Sequence, residues 1–493
     1  MSVEKKNGKK SSVANKAKAK GARSSGKLIR EKPDSATTVL STLWSQSKAP
    51  DSLIMHYTVG DDRHWDTRLL ACDVIGSLGH IDGLFVSKLL SRADYQLLRK
   101  GLLAALAAID SGDLQIELRH EDVHSAVEDW LIARLGDPGR RVHTGRSRND
   151  QIVCDLRLYL KDMLLKLGDL GCELALRLMR FADQHKRIVW PGYTHMRRAM
   201  PSSVGAWAGG LAESLLTTLS SLPTLYARMD RCPLGSAAGY GAPLTLDRDI
   251  ARSSLGFADL DHVVTTVQLS RGKSEGAVLA WCAELGHDLS RLASDVVWLS
   301  SAELGLLIIP LEFATGSSIM PHKRNPDVFE LTRARAAALD ADLITVLSLR
   351  SKLTSGYHRD FQLLKEPLFR GLDRTAEMLR MMNLAVPNLE VDPARAKASL
   401  TGDILATDEV MRRVESGVAF RTAYQEVAQE IAEGRAMPEA SAEDLMRRRR
   451  SIGNIGALGL NTLERQRRKV QKWIDVSRDQ FADAIAKLTK EQP

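Results

Sequence analysis

Residues 316–327, with the sequence GSSIMPHKRNPD, combine groups that could bind and stabilise an anion. Gly316 leaves backbone N–H groups approachable, and the hydroxyls of Ser317 and Ser318 can donate or accept hydrogen bonds. Lys323 adds a fixed positive charge that could hold a carboxylate or stabilise a developing negative charge. The segment has almost no apolar periodicity, so we predict a mobile polar loop. An ordinary Ser/Lys surface loop is the alternative interpretation.

A second polar segment, HTGRSRNDQ at His143–Gln151, is dense in groups that recognise carboxylates. The guanidinium of Arg148 could bind a carboxylate through two hydrogen bonds, and the amide of Asn149 could donate another. Asp150 is better suited to cap the helix that follows. A solvated turn would not require this density of cations and amides.

A histidine follows a threonine in the segment GYTHMRRAMP, at Gly192–Pro201. His195 could donate or accept a proton near neutral pH, although a lone histidine is more often structural. We predict a loop here that ends at Pro201, just before a helix.

Three further segments have polar or glycine-rich patterns: YTVGDDRHWD at Tyr57–Asp66, CPLGSAAGYG at Cys232–Gly241 and SGYHRDFQLLKE at Ser355–Glu366. The first is predicted to be a loop ahead of a helix. The glycines and alanines of the second permit a close backbone approach, either for helix packing, which we favour, or as a wall of a substrate site. The third is either a binding segment or the polar start of a helix.

The pattern GSSxMPxKxNP at residues 316–326 resembles the signature of the aspartase/fumarase superfamily of lyases, and HTGRSRNDQ resembles its argininosuccinate lyase and δ-crystallin branch. The resemblance extends over about residues 40–480. It implies elimination of argininosuccinate to arginine and fumarate. It also implies an all-α fold, with a central bundle of five long helices flanked by two smaller helical domains. The implied assembly is a homotetramer in which three subunits contribute to each active site.

The resemblance also assigns roles to single residues by position. Ser317 would be the base that removes a Cβ proton, and His195, oriented by Glu330, would be the acid that protonates the departing nitrogen. Lys323 and Asn325 would hold the succinyl carboxylates and stabilise charge. The remaining positions would bind the succinyl end (Ser147, Arg148, Asn149) and the amino-acid half (Tyr357, Gln362, Lys365), and Thr194 would bind substrate. No metal, nucleotide or redox cofactor is required for this chemistry.

The chain departs from the family pattern at a few positions. Asp62 stands where many members have serine, Arg197 where they have glutamine, and Leu364 where they often have an acid. These differences leave open a lyase that releases fumarate from a modified argininosuccinate, aspartate, malate or adenylosuccinate. A non-catalytic, crystallin-like protein is a further alternative, which the presence of both His195 and Ser317 disfavours.

Apolar seams indicate the elements that must position these segments. Leu156–Phe181 and Val278–Leu299 carry apolar residues at spacings of three and four, as helices of a near-parallel bundle do. Ser202–Tyr226 and Asn325–Leu349 are the predicted partner helices. A helix of 30 residues spans about 45 Å, so one subunit could not easily gather motifs from helix ends. The predicted domains are a disordered tail at 1–35, an N-terminal helical domain at 36–142, the bundle at 143–390 and a C-terminal helical domain at 391–493.

Composition adds limits on class and location. Leu and Ala dominate and aromatic residues make up 5%, which favours helices. The net charge is +8, and residues 1–30 alone carry +9, so the basicity belongs to a solvated tail with at most loose contact to polyanions such as nucleic acid. No run approaches 18 apolar residues, so no membrane span is expected. The five widely spaced cysteines predict reduced thiols, a cytoplasmic location and no zinc.

Overall fold

The computed structural model describes residues 51–490, so the predicted basic tail lies outside the described residues. Most of these residues are helical, which confirms the predicted all-α class. The helices pack around three hydrophobic cores, of which the central one is the largest. The domain boundaries themselves stay a prediction, but the cores show which elements pack together.

The N-terminal helices enclose a core that extends from Leu70 to Leu158 and also includes Leu488. These helices are α1 (Ser52–Val59), α2 (Asp62–Asp66), α3 (Leu70–Val86), α4 (Arg92–Ser111), α5 (Val123–Leu135) and α6 (Asp137–Arg140). Short 3-10 turns lie at Thr67–Leu69 and Arg141–His143. The predicted loop at residues 57–66 is wrong, because α1 and α2 occupy most of it and only the turn at Gly60 separates them.

The central bundle contains five long helices, and the remaining elements of this region are short. The long helices are α7 (Arg148–Gln184), α8 (Val204–Ser220), α12 (Lys273–Leu299), α13 (Asp327–Arg350) and α14 (Lys365–Ala385). The short helices are α9 (Leu222–Met229), α10 (Arg248–Ser254) and α11 (Thr266–Leu269), with 3-10 turns at Leu311–Phe313, Arg359–Leu364 and Val386–Asn388. Both helices predicted from apolar seams are confirmed.

In the part of the chain that the structure describes, eight short strands pair two by two. They are β1 (Val189–Thr194), β2 (Arg197–Ser203), β3 (Arg231–Cys232), β4 (Asp259–Leu260), β5 (Leu307–Ile308), β6 (Thr315–Gly316), β7 (Arg324–Asn325) and β8 (Glu390–Val391). The ladders β1–β2, β5–β8 and β6–β7 are antiparallel, and β3–β4 is parallel. The loop predicted at residues 192–201 is therefore wrong, since β1 and β2 form a hairpin there.

The longest helix, α7, is organised by its cap and its seam. The Ser147 side chain accepts a hydrogen bond from Asn149 N–H, and Asp150 completes the capping box by accepting from Ser147 N–H. Buried leucines then follow the helix almost to its end. At Gly168 a Cβ atom would lie only 2.6 Å from Leu222 and 2.9 Å from Ile474, so the missing side chain allows two neighbouring segments to approach closely.

A third, smaller core lies at residues 404–455 together with Val189. Its helices are α15 (Pro393–Ala398), α16 (Ala406–Glu415), α17 (Phe420–Ala432) and α18 (Ala442–Arg448), with a 3-10 turn at Gly402–Leu405. The last helix described, α19 (Leu460–Thr489), contributes no residue to this third core. It packs along the central bundle through Ile474 and reaches the N-terminal core through Leu488.

By length and composition alone, the helical stretch Asp62–Val86 could cross a membrane, but 67% of its apolar window is buried inside the protein, as in a core helix. All five cysteines lie among the described residues as free thiols, as predicted.

Candidate active site

A cleft at the N-terminal end of α7 brings together five of the residues predicted to bind substrate: Arg148, Asn149, Tyr357, Gln362 and Lys365. Arg148 and Asn149 are the first two residues of α7. The other three come from the segment that follows α13 and leads into α14. The cleft therefore shows that two motifs distant in sequence meet within one chain, whereas the role of each residue stays a prediction.

Lys365 lies at the floor of the cleft and is almost completely buried. Its Nζ donates to Asp62 Oδ1 and to Asp66 Oδ1, each at 2.6 Å. Burial alone would lower the pKa of Lys365, but the two carboxylates outweigh it and raise the pKa. Burial raises the pKa of Asp62 to about 6, against the opposing effect of Lys365. Lys365 is therefore a charged amine held by two acids.

Arg148, which also lines the cleft, is held in the same way. Its Nη1 donates to Glu121 Oε2 at 2.9 Å and to Asp122 Oδ2 at 2.8 Å. Burial disfavours the charge on Arg148, but Asp122 and Glu121 outweigh this effect and raise its pKa. Asp122 also caps α5, so one carboxylate fixes both a helix terminus and a cleft cation.

Gln362 and Arg359 connect the cleft to the end of α1. Gln362 Nε2 donates to the backbone carbonyls of Thr58 and Val59 at 3.0 and 2.8 Å. Arg359 Nη2 donates to Thr58 O at 2.9 Å and lies 3.3 Å from Glu121 Oε1. The amide predicted to contact substrate thus also fixes the backbone ahead of Asp62.

The cleft of one chain encloses about 120 Å³. Sites that bury a small molecule are usually about 300–1,000 Å³, so this cleft is smaller than a complete site for an argininosuccinate-sized molecule. It is also polar, with cations and carboxylates on facing walls. These properties fit one part of a composite site.

The segment 315–325 is a hairpin-like loop rather than an open coil. Thr315 pairs with Asn325 and Gly316 pairs with Arg324, and the Thr315 hydroxyl donates to Asp327 at the start of α13. Within this loop the Ser317 Oγ accepts hydrogen bonds from two backbone amides, Ile319 N at 3.3 Å and Met320 N at 3.1 Å.

Lys323 and Asn325 lie on the same loop. The Lys323 side chain is exposed, and the Asn325 amide donates to Gly316 O at 3.4 Å. An exposed ammonium and an amide beside a doubly hydrogen-bonded hydroxyl form a surface that can receive an anion.

His195 lies at the tip of the β1–β2 hairpin. His195 and Met196 are the two turn residues, with φ of +52° and +59°, and Thr194 pairs with Arg197 across the turn. Two successive residues with positive φ are the geometry of a type I′ hairpin turn, which is costly for residues other than glycine or asparagine. The strained turn presents Thr194 and His195 to the exterior.

The catalytic candidates lie at the opposite end of the bundle from the cleft. Helix α7 has 37 residues and spans about 55 Å, with Arg148 at its start and the His195 hairpin after its end. The Tyr193 ring contacts Trp298 at the end of α12, with centroids 4.5 Å apart, which places the hairpin near the segment leading to Ser317. One chain therefore does not bring Arg148 together with His195.

Glu330 is exposed in the first turn of α13, where its carboxylate lies 3.8 Å from Arg333 Nη2. No hydrogen bond joins Glu330 to His195 within the described part of one chain. Its predicted orienting role therefore requires a contact between chains or a movement of the hairpin.

Comparison with known proteins identifies the family of this chain. The family model described as Lyase matches residues 88–339. An argininosuccinate lyase of Sorangium cellulosum is 41% identical over 424 residues, which cover 86% of this chain and 98% of the relative. An argininosuccinate lyase of Thermotoga neapolitana is 39% identical over 387 residues, which cover 78% of this chain and 97% of the relative. The chain belongs to the argininosuccinate lyases.

Solved structures of related enzymes share the fold of this family member. EDDS lyase in complex with formate superposes with a TM-score of 0.74 at 23% identity and covers 90% of this chain and 95% of that chain. Class II fumarase from Schistosoma mansoni gives a TM-score of 0.68 at 15% identity, with 78% and 89% covered. At these identities the likeness shows the fold alone.

The sequence interpretation missed several charged residues of the cleft. Asp66, Glu121, Asp122 and Arg359 line it, and none of them was among the predicted site residues. Two features of the sequence could have indicated them: the adjacent acids Glu121 and Asp122 just before α5, and Arg359, a cation two residues after Tyr357. Their pairing with Lys365 and Arg148 depends on tertiary contacts that no local pattern specifies.

One buried cluster outside the substrate positions has the donor types of a metal site. Asp73, His124 and Asp155 place their ligand atoms within 4.8 Å of one another. His124 Nδ1 hydrogen-bonds to Asp73 Oδ1 at 2.8 Å, and burial together with Asp73 holds the pKa of Asp155 well above its usual value. Arg146 opposes this rise in the pKa of Asp155, and we assign no metal to the cluster.

Proposed function

We propose that the chain catalyses the β-elimination of argininosuccinate to L-arginine and fumarate, with active sites shared by three copies in a homotetramer. The identity to argininosuccinate lyases over nearly their whole length carries the proposal of substrate and reaction. The proposal of shared sites rests on the length of α7, about 55 Å, because Arg148 begins this helix and the His195 hairpin follows its end.

Ser317 is the proposed base. Its oxygen takes the proton from the carbon beside a succinyl carboxylate, and the electron pair left behind is delocalised onto that carboxylate. A serine hydroxyl can do this only if its deprotonated form is stabilised. The two amide hydrogen bonds from Ile319 and Met320 and the charge of Lys323 supply that stabilisation.

His195 is the proposed acid. As the carbon–nitrogen bond breaks, the electron pair of the carbanion forms the double bond of fumarate, and His195 donates a proton to the departing guanidino nitrogen. Glu330 of a facing copy would orient the imidazole and favour its protonated form. The strained hairpin turn supports this role, because backbone strain of this kind is frequent at functional sites.

The proposed binding residues come from both ends of the bundle. Lys323, Asn325 and Thr194 are proposed to hold the succinyl carboxylates, together with the α7 N-terminal group Ser147, Arg148 and Asn149 of another copy. Tyr357, Gln362 and Lys365 are proposed to receive the amino-acid half. The acids around Lys365 and Arg148 suit the cationic groups of that half.

The surface of the bundle supports assembly. Helices α13 and α14 bury one face in the core and expose large apolar side chains on another: Leu331, Ile344, Leu347, Met381 and Leu384. Exposed apolar faces on rigid helices are typical of surfaces that another protein covers. A second copy of the same bundle is the proposed occupant, and the free thiols are consistent with a cytoplasmic location.

The decisive experiment measures fumarate release from argininosuccinate, adenylosuccinate, aspartate and malate by ultraviolet absorbance. We expect turnover of argininosuccinate alone. Turnover of one of the other three instead would overturn the substrate, and absence of turnover with all four would favour a non-catalytic homologue.

A further inference from the structure

The glycine-rich segment Cys232–Gly241 has no role in the proposed chemistry, yet it is fastened to the first turn of α7. Asp150 Oδ2 accepts hydrogen bonds from Gly235 N at 3.1 Å and from Ala237 N at 2.8 Å. Asp150 is fully buried, and burial raises its pKa to about 6. The same carboxylate that completes the α7 capping box therefore holds this segment beside Arg148 and Asn149.

The backbone of the segment is tightly coiled. Gly235, Ala237, Gly239 and Gly241 have φ of +84°, +50°, +101° and +79°. The amides of Gly239 and Gly241 both donate to Ser236 O, at 2.9 and 2.8 Å. Alternating positive φ values and these internal bonds fix the direction in which the intervening side chain leaves the backbone.

That side chain is Tyr240, which is 70% exposed. Its hydroxyl lies against Gly356, where an added Cβ atom would be only 3.0 Å from the Tyr240 oxygen. Gly356 has φ of +95° and directly precedes Tyr357 of the cleft. The exposed side chain of Tyr240 thus contacts Gly356, the residue that precedes the proposed binding residue Tyr357.

We propose that Tyr240 is a positioning residue for the amino-acid half of the substrate: it braces Gly356 and so fixes Tyr357 at the wall of the cleft. This inference rests on the proposed function. The segment anchored on Asp150 then connects the two motifs of the cleft, since it is bonded to the start of α7 at one point and touches the segment after α13 at another. The glycines and alanines of this segment are compatible with helix packing or with a wall of the substrate site. The contact between Tyr240 and Gly356 favours the wall of the substrate site.

The reaction is reversible, which allows a test that separates the two ends of the substrate. In the direction of synthesis, the Tyr240→Ala variant should raise the KM for arginine about three- to tenfold, the range expected when one modest contact is lost. The KM for fumarate and kcat should stay within about twofold of the parent. Tyr240→Phe retains the ring and should recover part of the arginine affinity. Tyr424→Ala, an exposed tyrosine of the C-terminal core, is the control and should change neither KM.

A double-mutant cycle tests whether Tyr240 acts through Gly356. Gly356→Ala introduces a methyl group against the tyrosine oxygen and strains the backbone, so it should also raise the KM for arginine. The backbone strain at position 356 is present whether or not residue 240 is tyrosine. The steric contact with the added methyl group is present only when residue 240 is tyrosine. The Tyr240→Ala, Gly356→Ala double variant should therefore be less impaired than the product of the single effects.

Two results would overturn the inference. Equal changes in the KM values for arginine and fumarate would mean a general disturbance of the fold. A purely multiplicative double variant would mean that Tyr240 does not act through Gly356. Failure of the proposed function is distinct from both, because the parent protein would then form no argininosuccinate from arginine and fumarate.

Discussion

The amine of Lys365 has three hydrogen-bond donors, and two of them are already used by Asp62 and Asp66. A substrate carboxylate could take the third donor or displace one of the acids. Of the two, Asp62 is the more easily displaced, because burial raises its pKa to about 6. Asp66 is anchored twice, since its other oxygen accepts Val123 N–H. The unusual residue at position 62 is therefore the adjustable member of this cluster.

The first prediction concerns the proposed base. Ser317→Ala removes the hydroxyl that accepts the two loop amides and should lower kcat by about 10²–10⁴-fold, with a smaller effect on KM. Steady-state rates with argininosuccinate measure both. Ser318→Ala is the matched control, because its exposed hydroxyl has no such pair of amide donors in the described loop, and it should retain most of the activity. Equal losses in the two variants would remove the assignment of the base.

The second prediction concerns Asp62 and pH. The pKa of Asp62 is higher in the folded protein than in the unfolded chain, so the folded state binds the proton more tightly between about pH 4 and pH 6. The stability that this group contributes is thus present at low pH and lost as the pH rises through about 6. Asp62→Asn removes this titration. From pH 5 to pH 8 the unfolding free energy of the variant, relative to the parent, should rise by about 1–2 kcal/mol.

Denaturant unfolding at both pH values measures this difference. Asp61→Asn is the control, because Asp61 is exposed and its removal takes no carboxylate out of a buried site. A relative stability of Asp62→Asn that is the same at pH 5 and pH 8 would contradict the proposed titration.

At the scale of elements, the long helices were the most predictable part of the fold. The seam of α7 could be identified because its apolar positions repeat at the helical spacing over many turns, so packing and local preference agree. The start of α7 was equally clear, since Ser147 and Asp150 form a capping box. Long periodic patterns average out the influence of single tertiary contacts.

The hairpin that presents His195 could not be predicted in the same way. Strand β1 contains Pro191 and Gly192, β2 contains Pro201, and the turn has neither glycine nor asparagine where φ is positive. Each of these features argues locally against a hairpin. Tertiary contacts such as that between Tyr193 and Trp298 override the local preference. The pairing of the cleft acids could not be predicted for the same reason, because their partners are distant in sequence.

The third prediction concerns α19, which connects two cores. Ile474 is completely buried beside Gly168 of α7, so Ile474→Ala should leave a cavity and lower the unfolding free energy by about 2–5 kcal/mol. Val476→Ala, two residues further on the same helix and 45% exposed, is the control and should change stability by no more than about 0.5 kcal/mol. Thermal unfolding followed by circular dichroism compares the two. Equal stability of both variants would show that α19 does not fasten the bundle.

At the scale of the whole molecule, the helix lengths determine what a single chain can do. The cleft and the His195 hairpin lie at opposite ends of α7, and the 24-residue helix α13 separates the Ser317 loop from Tyr357 by about 36 Å. Because these helices are rigid and tightly packed, a hinge within the bundle could not close such distances. The proposed assembly of several chains would supply the proximity that the fold of one chain prevents.

The last prediction tests this arrangement by mixing inactive chains. His195→Ala and Ser317→Ala should each be nearly inactive alone. If each site takes the histidine and the serine from different copies, random mixing pairs an intact hairpin with an intact loop in about one quarter of the sites. Co-expression with two different tags, followed by tandem purification, isolates the mixed particles, and argininosuccinate turnover measures their activity.

The control pairs Ser317→Ala with Lys323→Met. Both changes lie on one loop, which always comes from a single copy, so mixing should restore no activity. Mixed His195→Ala and Ser317→Ala particles that stay as inactive as the control would exclude a site built from separate copies.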